Sequence, residues 1–123
     1  MFRYEESVSG EHPPAKLPLS ELQHMAERMY GELVKADVDI TRSVLLLDME
    51  LHADGEAVLL ESGSRQEDIW GINLYPGHYG TDDFIEFDSM INIRPRQGNR
   101  TRGVDDAHVQ ERIRQIVNGA IES

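Results

Sequence analysis

The spacing of the apolar residues changes abruptly at Val34, and this change limits the folds open to the chain. Before it they recur every three or four positions, as Leu22, Met25, Ala26, Met29 and Leu33. From there they alternate with polar residues, as Val34, Ala36, Val38 and Ile40. The first spacing predicts an amphipathic helix and the second a half-buried strand, so the chain combines both element types. Ser20, three residues before Gln23, predicts a capping box at the start of the helix.

A hairpin is predicted where this strand ends. Arg42 and Ser43 fit a turn, and a second strand runs from Val44 to about Leu51. Its odd-numbered residues are apolar, so they share the buried face.

The segment from residue 54 to residue 62 favours a short helix. Asp54 suits the capping position at its start, and Gly63 suits the position after its end. A strand through Val58 to Leu60 is the alternative for this segment.

A second hairpin is predicted from two further strands, Ile69 to Tyr75 and Phe84 to Arg94, joined by a long turn. The apolar residues are even-numbered in the first of these strands and odd-numbered in the second. Facing residues must therefore have an odd number sum, and pairing Tyr75 with Phe84 meets that condition. If this register continues along both strands, Trp70 lies opposite Ser89.

The last element is a helix, capped by Asp105 or Asp106, with an apolar stripe formed by Val109, Ile113, Ile116, Val117 and Ala120. The whole order predicts an α+β fold, a two-layer sandwich. We expect a four-stranded, mainly antiparallel sheet built from two hairpins, with the helices on one face. Residues 17–123 form this single domain. Residues 1–16 are expected to be a flexible N-terminal segment, in which Phe2 and Tyr4 fit a short edge strand.

The charge balance excludes several kinds of partner. The chain of 123 residues has 23 acidic and 12 basic side chains, for a net charge of −11. Such a charge repels phosphate backbones and anionic bilayers, so we expect no nucleic-acid partner and no membrane partner. The N-terminus lacks the regions of a signal peptide, and we expect a cytoplasmic location. No motif for a nucleotide or another cofactor is present, so none is predicted.

The stretch from Glu50 to Asn99 resembles an uncharacterised family of small prokaryotic domains. The residues that carry the resemblance are Glu50 to Asp54, Glu56, Leu59 to Glu61, Gly63, Ser64, Gln66, Asp68, Trp70, Gly71, Asn73, Tyr75, Pro76, Ile91 to Pro95, Gly98 and Asn99. The resemblance implies one compact domain. It implies no activity, ligand or catalytic residue.

An arginine-rich loop is the first candidate site. Arg94, Arg96, Arg100 and Arg102 fall in a segment without acidic residues, and guanidinium groups suit carboxylate or phosphate. With Asn73 and Asn92 on the polar sheet face and Asn99 in the loop, they predict a site for an anionic ligand or an acidic partner. The competing interpretation is that these arginines pair with the chain's own carboxylates.

The second candidate is the trio His52, Asp54 and Glu56. In an extended chain these side chains face one way and suit a divalent metal or acid/base catalysis. The competing interpretation makes Asp54 a helix cap, places Glu56 in the first turn, and leaves no metal site.

A binding module is the function that these patterns favour. Its working surface is expected to be the arginine-rich loop together with a sheet face that the helices leave open, and that face is compatible with a homo-oligomer. A small hydrolase or isomerase using His52 with Asp54 or Glu56 is the alternative.

Overall fold

The chain folds into a sheet with helices packed on both faces. The computed structural model describes residues 1–6 and 15–123. Its strands are β1 (Phe2–Glu5), β2 (Leu17–Pro18), β3 (Val34–Asp39), β4 (Val44–Leu47), β5 (Ile69–Leu74), β6 (Ile85–Glu86) and β7 (Ile121–Glu122). Its helices are α1 (Leu19–Met29), α2 (His52–Glu61) and α3 (Ala107–Ala120). The main sheet has the order β1-β4-β3-β5-β6 with antiparallel neighbours, and β2 and β7 form a small parallel pair. The α+β class and the mainly antiparallel sheet are confirmed.

The larger part of the core lies between one sheet face and the helices α1 and α3. Even-numbered residues of β3 and β5 contribute to it together with odd-numbered residues of β4, as the alternation predicts. The buried members from these strands are Val34, Ala36, Val38, Leu45, Leu47, Trp70, Ile72 and Leu74. Leu22, Met25 and Ala26 cover them from α1, and Ile113, Ile116, Val117 and Ala120 cover them from α3.

The opposite sheet face is also covered, by α2, so the expectation that all helices lie on one face is wrong. Val44, Leu46 and Ile69 project from this face and are buried with Met49 and with Leu59 of α2. The cause is visible in β4, whose residues are all apolar and all buried. A strand of that kind needs a packing partner on both sides. The predicted open polar sheet face is therefore wrong as well.

The second hairpin has the predicted register but a shorter second strand. Leu74 pairs with Ile85, and the Tyr75 N–H donates to the Phe84 carbonyl at 2.9 Å. The strand predicted to continue to Arg94 ends at Glu86. Ser89 explains part of the difference, because its hydroxyl accepts from the Ile91 N–H at 3.2 Å and caps a short 3-10 turn.

Helices α1 and α2 do not begin as the sequence predicts. Helix α1 begins at Leu19 after Pro18, with no side-chain cap, so the capping box of Ser20 and Gln23 does not form. Pairing of β2 with β7 positions the chain immediately before this helix. Helix α2 begins at His52, earlier than expected, because Asp54 caps from its third position by accepting from the Leu51 N–H at 3.1 Å.

The remaining helix boundaries follow local capping rules. Segment 54–62 is helical as far as Glu61, as favoured over the strand alternative, and Gly63 has a φ of 105°. The Gly63 and Ser64 N–H groups donate to the Leu60 and Leu59 carbonyls, the pattern of a Schellman motif. Asp106 caps α3 as predicted, accepting from the His108 N–H at 2.8 Å.

Strand β1 places an N-terminal segment at the edge of the sheet, beside β4. Phe2 and Tyr4 thus lie in the edge strand that they fit by sequence. Half of the predicted flexible segment, residues 7–14, lies outside the described residues. Among the described residues, none of the helices combines the length and the apolar character that crossing a bilayer requires.

Candidate functional site

The edge of β5 beyond β6 is completed by a side chain instead of a strand. Asn92 lies opposite Gly71, and its side-chain oxygen accepts from the Gly71 N–H at 2.8 Å. Its amide nitrogen donates to the Gly71 carbonyl at 2.9 Å. The Asn92 side chain thus reproduces the hydrogen bonds of a ladder residue, which satisfies backbone groups that burial would otherwise leave unpaired.

Arg94 continues this edge with its guanidinium group. It donates to the backbone carbonyls of Gln66 and of Ile69. The guanidinium carbon lies 4.3 Å from the centre of the Trp70 ring, a cation–π contact. Burial lowers the pKa of this arginine, and the nearby carboxylate of Glu56 opposes that shift. Arg94 is therefore bound mainly to backbone and to an aromatic ring, and it forms no ion pair with a carboxylate of residues 1–6 or 15–123.

An open groove lies between two turns beside Arg94. One wall is the turn at residues 65–67 and the other is the turn at residues 94–97, and the groove encloses about 690 Å³. The Gln97 side chain donates to the Glu67 carbonyl at 2.7 Å, which ties the two turns together. The cations that line the groove are Arg65, Arg94 and Arg96. Arg65 forms an ion pair with Glu67, and Arg96 forms none within the part of the chain that the structure describes.

The other arginines of the loop lie away from this groove. Arg102 pairs with Asp88 at 2.6 Å, as the competing interpretation of the loop expects. Arg100 is exposed, and its backbone N–H donates to Asp105 at 3.0 Å. Hydrogen bonds from the Thr101 side chain and from this N–H lower the pKa of Asp105. The structure thus brings Arg94 and Arg96 together and separates Arg100 from them.

The three asparagines of the predicted site are buried inside the structure. Asn92, Asn99 and Asn73 have exposed fractions of 0%, 4% and 6%. The Asn99 amide donates to the carbonyls of Asn92 and Gly103 at 2.7 and 2.8 Å. The Asn73 amide donates to Glu86 at 2.8 Å. None of these three side chains lines the groove.

The trio His52, Asp54 and Glu56 does not converge. All lie on α2, where His52 and Glu56 share a face and Asp54 points elsewhere. The His52 Nε2 atom is 2.8 Å from the Ile72 carbonyl, and burial lowers the pKa of its ring. Among the described residues, no three His, Asp or Glu side chains are grouped as metal ligands.

Asp37 is a buried acid that sequence reasoning missed. It lies on β3 under Gly55 of α2, and a β-carbon on that glycine would be 2.3 Å from the Asp37 Oδ2 atom. Neither carboxyl oxygen has a hydrogen-bond partner among the residues that the structure describes. Burial, with Glu56 second, raises the pKa of Asp37 from 3.8 to about 9, so this carboxyl is protonated at neutral pH.

Arg65 is the other residue that sequence reasoning missed. Its signal was weak, because it is a single arginine in the polar loop before β5 and lies far along the chain from Arg94.

The comparison with protein families gives one match. The model described as "Protein of unknown function (DUF5674)" matches residues 15–120. That span includes α1, α2, α3 and both walls of the groove, and it leaves out β1. Comparisons with curated proteins and with solved structures give no match.

Proposed function

The chain belongs to DUF5674, a family of unknown function, and from the site geometry we propose that it is a binding module for an anionic ligand. The observation that carries the proposal is the groove between residues 65–67 and 94–97, lined by Arg65, Arg94 and Arg96. The ligand class is a carboxylate or a phosphate, since both accept paired hydrogen bonds from guanidinium groups.

The three arginines have different parts in this proposal. Arg94 is committed to the carbonyls of Gln66 and Ile69 and contributes a fixed positive charge at the groove. Arg96 is exposed and makes no ion pair with a described residue, so its donors are available to a ligand. Arg65 forms an ion pair with Glu67, and both side chains are exposed. Because exposed ion pairs are weak, an anionic ligand can replace the Glu67 carboxylate.

The local charge makes an anion a better ligand than the net charge of −11 suggests. Long-range repulsion decays over about 10 Å at moderate ionic strength, so contacts within the groove decide binding. We expect affinity to rise as salt is added from very low ionic strength, because the repulsion is screened first. At high salt the contacts themselves weaken.

The proposal predicts that Arg65→Ala and Arg96→Ala each weaken binding of inorganic phosphate or citrate by roughly tenfold, the loss of one charge-assisted contact. The measurement is a chemical-shift titration of the amide resonances. In the natural sequence the largest shifts are expected at Gln66, Glu67 and Gln97, which line the groove.

Arg100→Ala is the matched control, because this arginine belongs to the same loop but does not line the groove. It is expected to leave the affinity unchanged. The proposal fails if neither anion shifts the groove amides, or if Arg100→Ala weakens binding as much as Arg96→Ala.

The hydrolase or isomerase alternative has less support from the geometry. It needs His52 and a carboxylate at one open position, whereas His52 is buried against the Ile72 carbonyl and Asp54 caps its own helix. The groove geometry favours the binding module, which needs no such convergence.

A further inference from the structure

The outer edge of β1 has backbone groups that no described residue pairs. In the main sheet β1 is a terminal strand, with β4 as its one neighbour among the described residues. The Glu6 N–H donates to the Ser43 carbonyl at 3.3 Å, in register with the pairing of Tyr4 and Leu45. Backbone groups alternate in direction along a strand, so those of Arg3 and Glu5 point away from β4.

The side chains at these two outward positions are of opposite charge. Arg3 and Glu5 lie on one face of β1, two residues apart, and form an ion pair at 3.2 Å. Both are partly exposed, with side-chain fractions of 35% and 50%. Charged side chains usually protect an edge from pairing, but an edge with one charge of each sign complements itself.

We propose that two copies of this chain associate through antiparallel pairing of their β1 strands about a two-fold axis at Tyr4. In this register Arg3 of each copy faces Glu5 of the other. The N–H and C=O groups of both residues then bond across the interface, and the two opposite charges lie side by side.

The charges select this register over its neighbours. In the next register on either side, the outward backbone groups are again paired. One of these registers sets Arg3 opposite Arg3, and the other sets Glu5 opposite Glu5. Like charges directly opposite each other are unfavourable in antiparallel strands. Tyr4 keeps its position within its own copy when the dimer forms, because its side chain is buried and its hydroxyl donates to the Gly119 carbonyl at 3.2 Å.

The interface is independent of the proposed anion groove. No residue of β1 lines the groove, and β1 lies outside the span that the family model matches. Association is therefore a property of this chain's N-terminal strand, and its failure would leave the binding proposal untouched.

The test is sedimentation equilibrium of the full chain and its charge variants. The natural sequence is expected to show a monomer–dimer equilibrium. Arg3→Glu or Glu5→Arg sets like charges opposite each other twice in the symmetric interface, and is expected to weaken the dimer by roughly tenfold or more. The double variant with both changes exchanges the charges, and is expected to restore the dimer.

Hydrogen exchange gives a second readout on the same samples. The amides of Arg3 and Glu5, which no described residue pairs in the monomer, are expected to gain protection as the dimer forms. The proposal is overturned if the chain stays monomeric at millimolar concentration, if the double variant dimerises no better than the single variants, or if these two amides exchange freely in the dimer. Circular dichroism checks that every variant is folded.

Discussion

Asp37→Asn is expected to stabilise the protein at neutral pH, by up to about 4 kcal/mol at pH 7. This upper limit on the gain in stability follows from the pKa of Asp37, which burial raises from 3.8 to about 9. In the unfolded chain this carboxyl is ionised at pH 7, so folding must bind a proton. Asparagine has almost the same shape and removes that requirement.

The direction of the pKa shift also fixes how the stability of the fold depends on pH. Because the folded pKa is the higher one, the contribution of Asp37 to stability is complete below about pH 4 and is lost as the pH rises towards about 9. The negative charges of Glu56 and Asp54 on α2 add to the rise in its pKa. Asp37→Asn is expected to flatten the stability profile over that range, as measured by urea unfolding at several pH values.

Asp39→Asn is the matched control for this experiment. Asp39 lies on the same strand and the same sheet face, and it is equally buried. Its carboxylate accepts from the N–H groups of Thr41 and Arg42 at 2.9 Å and from the Ser64 hydroxyl at 2.5 Å. We expect this change to destabilise the fold. If Asp37→Asn also destabilises it, or keeps the pH slope of the natural sequence, Asp37 is not the buried protonated acid described above.

Asn92→Ala is expected to destabilise the fold by about 3 kcal/mol, the cost of leaving buried polar groups without partners. The change removes the bonds to the Gly71 N–H and carbonyl and a third bond, at 2.9 Å, to the Arg102 carbonyl. Urea unfolding measures the loss. Faster hydrogen exchange of the Gly71 amide is expected to locate it at the edge of β5.

Two further variants distinguish this mechanism from a general loss of packing. Asn92→Asp keeps the acceptor for the Gly71 N–H and loses both donors, so we expect a marked loss of stability with the Gly71 amide still protected. Asn73→Ala removes a bond to Glu86 on a partly exposed edge, and about 1 kcal/mol is expected. An equal effect of Asn73→Ala and Asn92→Ala would contradict the special role of Asn92.

Much of the secondary structure could be predicted because its causes are local. The change of period at Val34 marks the boundary between α1 and β3, and capping chemistry marks the end of α2 and the start of α3. Even the register of the second hairpin could be worked out, since only an odd number sum places both apolar faces on the same side. The observed pairing of Leu74 with Ile85 has that property.

The candidate site was harder to predict because its two walls lie far apart in the chain. The four arginines of the loop have similar sequence contexts. In the folded chain Arg94 binds carbonyls, Arg96 lines the groove, Arg102 pairs with Asp88, and Arg100 lies elsewhere. Arg65 completes the groove from the loop before β5, and no local pattern connects it to Arg94.

By itself, the sequence determined most of the element types, the register of the second hairpin and the apolar faces, because periodicity, capping and strand pairing act between near neighbours. Only the tertiary structure decided that α2 covers the second sheet face. That packing takes Asp37 out of water and keeps its carboxyl protonated, although alternation alone assigns it to a polar face. The same holds at the edge of β5, where the fold places Asn92 and Arg94 in the position of a missing strand. Their role depends on backbone groups more than 20 residues away in the chain, and no pattern of neighbouring residues encodes such a contact.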